Sequence, residues 1–456
     1  MRYRLDGSWR RPGDGRTVIG GSPLRLFRLT PGGAHVAAQI EVGTPPGTAA
    51  VRQLIDRLVD AGALHPEPGR NEGPFGITDV TVVIPAYREV PSLPAVLTTV
   101  VVDDGSPAPL PSVHRTGDSV GQLAVTWLRH DTNRGPGAAR NTGLGHVTTS
   151  LVAFVDTDVV LPDGWLSPLL AHFADPQVAL VAPRVASLVR TDPVAKYEAD
   201  HSPLDLGAEP ARISPGTRVS YVPAAAIVCR TEVVRSLGGF DESMRTGEDV
   251  DFVWRLVAAG HRARYEPQVT VFHQPRRTWR ELWQQRVGYG RSAAPLATRH
   301  PGALAPARLS GWTLAVWTLL VLRRPVVAGA TALGTAIALQ RKLRDLPPIE
   351  PVRLTLLGHL AAGRQLASAV RRAWWPIALV GALVSRRVRC WLAIAVVAPP
   401  LIEAVNRRSW RPLLDGPAAV FDDVAYGVGV WRGVIDERTA GPLLPSISGW
   451  PARAGG

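Results

Sequence analysis

Residues 151–159 read Leu151-Val-Ala-Phe-Val-Asp-Thr-Asp-Val159. Five apolar residues run straight into two carboxylates, Asp156 and Asp158. A continuous apolar run of this length is the pattern of a strand buried on both faces, as in a parallel sheet. The acids begin where the strand ends, and in open α/β sheets that is where ligands bind. Side chains at i and i+2 lean to the same side of an extended chain, so the two carboxylates repel unless a cation sits with them. A hard divalent ion bridging to a diphosphate would satisfy both. A solvated acidic turn is the plain alternative for an Asp-x-Asp standing alone.

The neighbouring sequence repeats the strand-then-acid pattern. Val80-Thr-Val-Val-Ile84 is a buried strand followed by Pro85-Ala-Tyr-Arg-Glu89, and Val100-Val-Val102 leads into Asp103-Asp-Gly-Ser106. Leu123 to Leu128 is a third strand, and Asn133-Arg-Gly-Pro-Gly-Ala-Ala-Arg-Asn-Thr-Gly143 is a glycine-rich turn entering a helix, suited to backbone approach to phosphates. Strands alternating with loops and helices predict an α/β domain with a mostly parallel sheet. Only Arg88 to Thr99 joins the first two strands, interrupted by Pro91 and Pro94. A parallel crossover needs about a dozen residues, so either the first helix is a stub or the strand order differs locally. Farther on, Gly247-Glu-Asp-Val-Asp251 precedes an apolar helix face of Val250, Phe252, Val253 and Leu256. Its acids therefore stand at a helix start, where anions are favoured; a simple acidic cap is the alternative. His273 ends the strand-like run Val269 to Phe272.

The chain has 456 residues, enough for two or three domains, and a formal charge of +13. Of its 51 basic residues only Lys196 and Lys342 are lysines, leaving 49 arginines. No zinc-finger, RNP or homeodomain pattern accompanies that charge, which argues against nucleic acid as partner. The arginines crowd beside apolar runs in the last third, which favours an anionic membrane surface. Two distant cysteines, Cys229 and Cys390, suit a reduced, cytoplasmic protein. Met1-Arg-Tyr-Arg-Leu-Asp6 has no apolar stretch of the kind a secretory signal carries.

Residues 1–70 predict a small winged-helix-like domain. Thr17 to Ile19 and Leu24 to Phe27 flank a Gly20-Gly-Ser22 hairpin signal, Thr30-Pro31 starts a helix, and Val51, Leu54, Ile55, Leu58 and Val59 form one apolar helix face ended by Gly62. Pro66 to Pro74 has the composition of a linker. The pattern predicts an α/β domain over residues 77–275, a helical connection over 276–310, helical hairpins over 311–440 and a disordered tail over 441–456. The hairpins comprise four apolar runs, Trp312 to Leu322, Val326 to Leu339, Trp374 to Val384 and Trp391 to Ile402. Each is shorter than the ~18 residues of a spanning helix. Tryptophans at their ends and arginines between them fit helices lying in one leaflet; two buried α-hairpins are the alternative.

The set Val-Ile-Pro-Ala-Tyr87, Val-Val-Asp-Asp-Gly-Ser106, Gly-Pro-Gly-Ala-Ala-Arg-Asn141, Asp-Thr-Asp158 and Gly247-Glu-Asp-Val-Asp251 resembles the family 2 inverting glycosyltransferases, which have the GT-A nucleotide-sugar fold. Three further runs resemble the glycosyltransferases of mycofactocin biosynthesis: Lys196 to Gly207, Val219 to Ala225, and Gly239-Phe-Asp with Gly247 to Arg255. The resemblance implies transfer of a sugar, glucose, from a UDP-sugar donor to a peptide-derived redox-cofactor precursor, as a β-linked chain. By position it implies that Asp103, with Asp104 beside it, accepts from the uracil or ribose, and that Pro85, Ala86, Tyr87 and Glu89 line the base. Arg134 and Arg140 would approach phosphate, and Asp156 would touch ribose or metal. Asp158 would bind Mn²⁺ or Mg²⁺, with His273 completing the metal shell, and Asp249, after Glu248, would be the general base. Residues 1–70 resemble domains with which modifying enzymes grip a precursor peptide, which would make that peptide a partner; a structural cap is the other reading. Gln285-Arg286 and Gly288-Tyr-Gly290 match only part of the acceptor-gating segment of processive synthases. Two other functions stay open: a transferase on the inner face of the cell membrane building cell-envelope glycan on a lipid acceptor, and a non-catalytic peptide-binding scaffold.

Overall fold

The computed structural model describes residues 2–43, 48–69, 73–91, 97–111 and 125–448. It divides into one compact unit of Met1–Arg11 with Arg16–Arg276, and a second of Pro12–Gly15 with Arg277–Gly456. Within the first unit the N-terminal residues form two ribbons and two helices. Strand β1 (Arg2–Leu5) is followed by β2 (Thr17–Gly20) and β3 (Arg25–Arg28), which pair with each other. Helix α1 (Pro31–Glu41) begins at Thr30, whose hydroxyl accepts from the Gly33 amide at 3.1 Å, and α2 (Ala49–Asp60) begins at Thr48 in the same way. Strand β4 (Leu64–Glu67) pairs antiparallel with β1, Tyr3 opposite Pro66. The predicted linker therefore starts later than its proline content suggested: Pro66 and Glu67 belong to a ladder. Val18, Ile55, Leu58 and Leu64 bury the small core. Arg262 anchors it to the main sheet, reaching Asp60 at 2.8 Å and Asp175 at 2.9 Å.

The central sheet holds nine strands: β5 (Val80–Ala86), β6 (Thr98–Asp103), β7 (Val125–Arg129), β8 (Leu151–Val155), β9 (Val159–Val160), β10 (Val178–Ser187), β11 (Ala211–Arg212), β12 (Ala226–Arg230) and β13 (Arg262–His273). Their order is β11-β13-β10-β12-β8-β5-β6-β7, with β9 paired to β13. Strands β8, β5, β6 and β7 run parallel, as do β10 and β13 in the longest ladder. Every residue of Leu151–Val155 is buried, which is what an unbroken apolar run requires. Strands β5 and β6 are adjacent and parallel, so the short connection does not alter the strand order; the question of a stub helix falls on residues 92–96, outside the described residues. Helices α3 (Pro136–Gly145), α4 (Leu166–Leu170), α5 (Pro193–His201), α6 (Thr231–Ser236) and α7 (Glu248–Ala258) complete the unit. This is an α/β fold of the GT-A kind, joined to a helical C-terminal region.

The second unit contains α8 (Trp279–Arg291), α9 (Ala293–Arg299), α10 (Gly311–Val321), α11 (Pro325–Lys342), α12 (Ile349–Arg372), α13 (Trp375–Val384), α14 (Arg386–Arg407), α15 (Arg411–Leu414) and α16 (Gly416–Asp436). Two sequence expectations change here. Helix α13 ends at Val384, and Ser385 caps α14, whose first two residues are Arg386 and Arg387. At 22 residues α14 is long and apolar enough to cross a membrane, and only 11% of its apolar window is buried. The first part of the expected tail is structured: β14 (Arg308–Ser310) pairs parallel with β15 (Ser446–Ser448), and the Leu443 carbonyl accepts from Trp374 Nε1 at 2.8 Å. The rest of that expectation, residues 449–456, lies outside the described residues.

Helices α8 and α16 press together through glycines. A Cβ on Gly290 would fall inside the contact distance of the Tyr426 carbonyl oxygen, and one on Gly429 would strike the Val287 carbonyl. Arg286, 2% exposed, reaches Asp422 of α16 at 2.9 Å. The run Gln285 to Gly290 is thus a helix-packing surface. Gly290→Ala should destabilise the chain by about 1–3 kcal/mol, the usual cost of overpacking, seen as a lower midpoint in thermal unfolding of the full chain. An unchanged midpoint would show that the helices are not held this closely.

Candidate active site

The acids that follow β8 are positioned by backbone bonds. The Asp156 amide donates to the Ala225 carbonyl at 2.9 Å, and the Val159 amide donates back to the Asp156 carbonyl. Two residues of β9 then pair with the end of β13, Val159 opposite His273. That pairing brings His273 Nε2 to 3.0 Å from Asp158 Oδ2, while the Gln274 amide donates to the Asp158 carbonyl at 2.9 Å. Arg276 lies at the same carboxylate, its Nη2 3.4 Å from Asp158 Oδ2, and its own amide donates to Glu198 at 2.8 Å. Burial works to raise the Asp158 carboxyl, but the bond from His273 and the charge of Arg276 hold it below the ordinary value. Among the described residues no set of three or more His, Cys, Asp or Glu converges as a complete metal site. Two donors, one carboxylate and one imidazole, do meet. Asp158 and His273 are the residues that would hold a divalent ion such as Mn²⁺ or Mg²⁺, a carboxylate and an imidazole being donors such ions accept.

The second group of acids enters from α7. Gly247 has φ of 82°, a left-handed conformation that turns the chain sharply into the helix. Glu248, Asp249 and Asp251 occupy the first turn. Glu248 is buried and accepts from Arg140 Nη1 at 2.7 Å, while Arg140 Nη2 donates to Asp156 Oδ1, also at 2.7 Å. Asp251 turns away and pairs with Arg255 at 2.7 Å. Asp249 accepts from its neighbour's amide, Val250 N at 2.8 Å, and from Ala224 N at 3.2 Å. Burial, with the Glu248 charge adding to it and Arg140 opposing, pushes Asp249 up to about 7. Burial likewise raises Asp156, against the pull of Arg140. A carboxyl raised toward neutrality in the first turn of a helix is suited to taking a proton from a hydroxyl.

The remaining expected donor contacts are distributed differently. Asp103 ends β6, but its side chain is only 4% exposed. Its oxygens accept from the Ser106 and Leu110 amides and from Arg129, so the carboxylate is not open to a base or ribose as expected. Burial opposes ionisation there, and these bonds hold Asp103 below its ordinary value. Asp104 is buried too. It accepts from the Arg134 and Gly135 amides at 2.9 and 2.7 Å and meets His130 Nδ1 at 2.7 Å. Asp104 therefore shapes the glycine turn. Arg134 is exposed and paired with Glu242, and Arg140 is 3% exposed and engaged by two carboxylates. Pro85 and Ala86 finish β5, Tyr87 is 38% exposed with Arg88 stacked on its ring, and Glu89 is exposed. Sequence reasoning missed Arg276 and Glu198. The one signal for Arg276 is its place three residues after His273. Its Nε is buried with no hydrogen-bond partner among the described residues.

Residues 81–230 match the family model described as Glycosyl transferase family 2. The protein named pre-mycofactocin glycosyltransferase of Mycobacterium tuberculosis (strain H37Rv) is 43% identical over 458 residues, covering 95% of each chain. The uncharacterized glycosyltransferase YaiP of Escherichia coli (strain K12) is 30% identical over 46% of this chain and 56% of its own. Among solved structures, a mannosyltransferase from Pyrobaculum calidifontis in complex with GDP-Man and Mn²⁺ is 19% identical, covering 81% of this chain and 89% of that one, with a TM-score of 0.44.

Asp104→Ala would leave the buried Gly135 amide and the half-buried Arg134 amide without their acceptor. Each unpaired donor should cost about 1–3 kcal/mol, so thermal unfolding should begin well below that of the wild type. An unchanged midpoint would mean that the turn does not depend on this carboxylate.

Proposed function

The chain belongs to glycosyl transferase family 2, in the branch that holds the pre-mycofactocin glycosyltransferases, and we propose that it transfers glucose from a UDP-sugar to a peptide-derived precursor of that redox cofactor, with inversion at the anomeric carbon. The observation that supports this most is the 43% identity sustained over 95% of both chains, which spans the N-terminal segment and the C-terminal helices as well as the sheet. In this reading the nucleotide lies along the carboxyl ends of β5 and β6, beside Tyr87. The acceptor hydroxyl gives its proton to Asp249 as its oxygen attacks the anomeric carbon, and the bond to the diphosphate breaks on the opposite face. An α-linked donor thus becomes a β-linked product, and repetition builds a β-linked oligosaccharide. Asp158, His273 and Arg276 surround the leaving diphosphate. A divalent ion held by Asp158 and His273 would supply neutralisation of the charge that develops there. The N-terminal segment contributes by gripping the peptide: β3 pairs only with β2 among the described residues, and an unpaired strand edge can take an added strand.

A second reading, transfer to a lipid acceptor for cell-envelope glycan, is favoured by one observation. The C-terminal helices present large apolar side chains to solvent, among them Val326, Leu383, Val384, Val405 and Leu414. Arg323, Arg324, Arg386, Arg387, Arg407 and Arg408 stand at the helix ends. On either reading of the acceptor, these helices seat the enzyme on the cytoplasmic face of the membrane, arginines at the head groups and apolar side chains in one leaflet. Mass spectrometry of products made with UDP-glucose and a purified peptide-derived acceptor, against the same assay with a lipid acceptor, separates the two.

Asp249→Asn should keep UDP affinity and lose turnover by a factor on the order of 10²–10⁴, the worth of a general base; near-normal turnover would remove Asp249 from the chemistry. In vesicle flotation the full-length chain should float with phosphatidylglycerol-containing vesicles more than with neutral ones. High salt alone should release little of it, because apolar insertion is not screened. Recovery of all the protein below the vesicles would contradict membrane seating.

A further inference from the structure

We infer that Arg140 is a positioning residue for the transfer: it clamps Glu248 and Asp156 on its two amino groups and leaves Asp249 as the acid in the first turn of α7 that no guanidinium among the described residues binds. This rests on the reading of Asp249 as base. The geometry is specific. Arg140 projects from α3, its guanidinium lies 5.3 Å from the centroid of the Phe240 ring, and its two Nη atoms each sit 2.7 Å from a carboxylate on a different element. It is 3% exposed. A planar fork can hold two carboxylates at a fixed separation in a way that a lysine ammonium cannot. Its third nitrogen, Nε, is buried without a partner among the described residues, so the two carboxylates account for its hydrogen bonding.

The consequence falls on Asp249. The charged groups that bear on it are Glu248 from its own helix and Arg140 from α3. Asp156 lies beyond Arg140 at the end of β8, and Asp251 is neutralised by Arg255 on the other side of the turn. Glu248 disfavours ionisation of Asp249 and Arg140 favours it. The base must be ionised to act, so turnover rises as pH passes through its pKa. Removing the Arg140 charge moves that rise to higher pH, and removing the Glu248 charge moves it to lower pH.

The experiment is the pH dependence of kcat for the full-length enzyme and for Arg140→Gln, Arg140→Lys, Glu248→Gln and the Arg140→Gln/Glu248→Gln pair, with donor KM followed in each. The acidic limb should move up in Arg140→Gln by on the order of one pH unit, move down in Glu248→Gln, and return toward the wild-type position in the pair. Arg140→Lys, which keeps the charge and loses the fork, should lower kcat with the limb little moved. If Arg140→Gln does not fold, the downward shift in Glu248→Gln and the loss of kcat in Arg140→Lys still decide the matter. A limb that stays in place in every variant, with turnover lowered evenly across pH, would overturn the inference and leave Arg140 a purely structural ion pair. Asp249→Asn serves as the control: if it retains near-normal turnover, the base assignment fails, whereas loss of turnover there with an unmoved limb in the Arg140 and Glu248 variants sinks only the role of Arg140.

Discussion

Asp156, Asp158, Glu248 and Asp249 gather where the central sheet ends, and such a concentration of negative charge is tolerated because cations are built in beside it. Arg140 divides its guanidinium between Asp156 and Glu248, and Asp158 meets His273 and Arg276. Four separate pieces of chain are tied by these contacts: the end of β8, the helix after the glycine turn, the start of α7 and the end of β13. Like-charged carboxylates left without these partners would repel and lose solvation together. The same contacts give each acid a distinct environment. The bond from His273 and the charge of Arg276 hold Asp158 below its ordinary value, while burial and the Glu248 charge raise Asp249 toward neutrality.

Around that centre, the backbone does much of the positioning. The β9 residues are two in number, yet their pairing with β13 sets His273 against Asp158. Gly247 supplies the left-handed turn that presents Glu248 and Asp249 at the head of α7. Asp103 and Asp104, which also sit at a strand end, are consumed in holding loops: one fixes the Ser106 turn through amides and Arg129, the other fixes the glycine turn and His130. Acids at strand ends thus divide into those bonded chiefly to loop amides and those bonded to side-chain cations and imidazole.

The parts of the fold legible in the sequence were those carried by local pattern. The unbroken apolar run Leu151–Val155, the Thr30 and Thr48 helix starts and the Gly20-Gly-Ser22 hairpin each follow from short-range chemistry. What stayed hidden depended on partners far along the chain. Arg2–Leu5 reads as charged and polar, yet forms a strand because Leu64–Glu67 lies beside it. The run Trp391 to Ile402 is shorter than a spanning helix, yet its flanks are helical too, so α14 extends over 22 residues. In the site, residue types and order pointed to Asp156, Asp158, Glu248, Asp249 and His273. Sequence could not say which of two adjacent acids would be spent on amides, nor single out Arg140 and Arg276 for their roles among 49 arginines.

In the proposed transfer, Asp249 removes the acceptor proton in a single displacement while the diphosphate leaves from the opposite face. The anomeric configuration of the first sugar transferred tests it most directly. With an α-linked UDP-sugar and purified full-length enzyme, proton NMR of the initial product should show the large anomeric coupling of a β-glucoside from the earliest time points. An α-linked initial product would contradict the account, because attack on the face opposite the leaving diphosphate must invert the anomeric carbon.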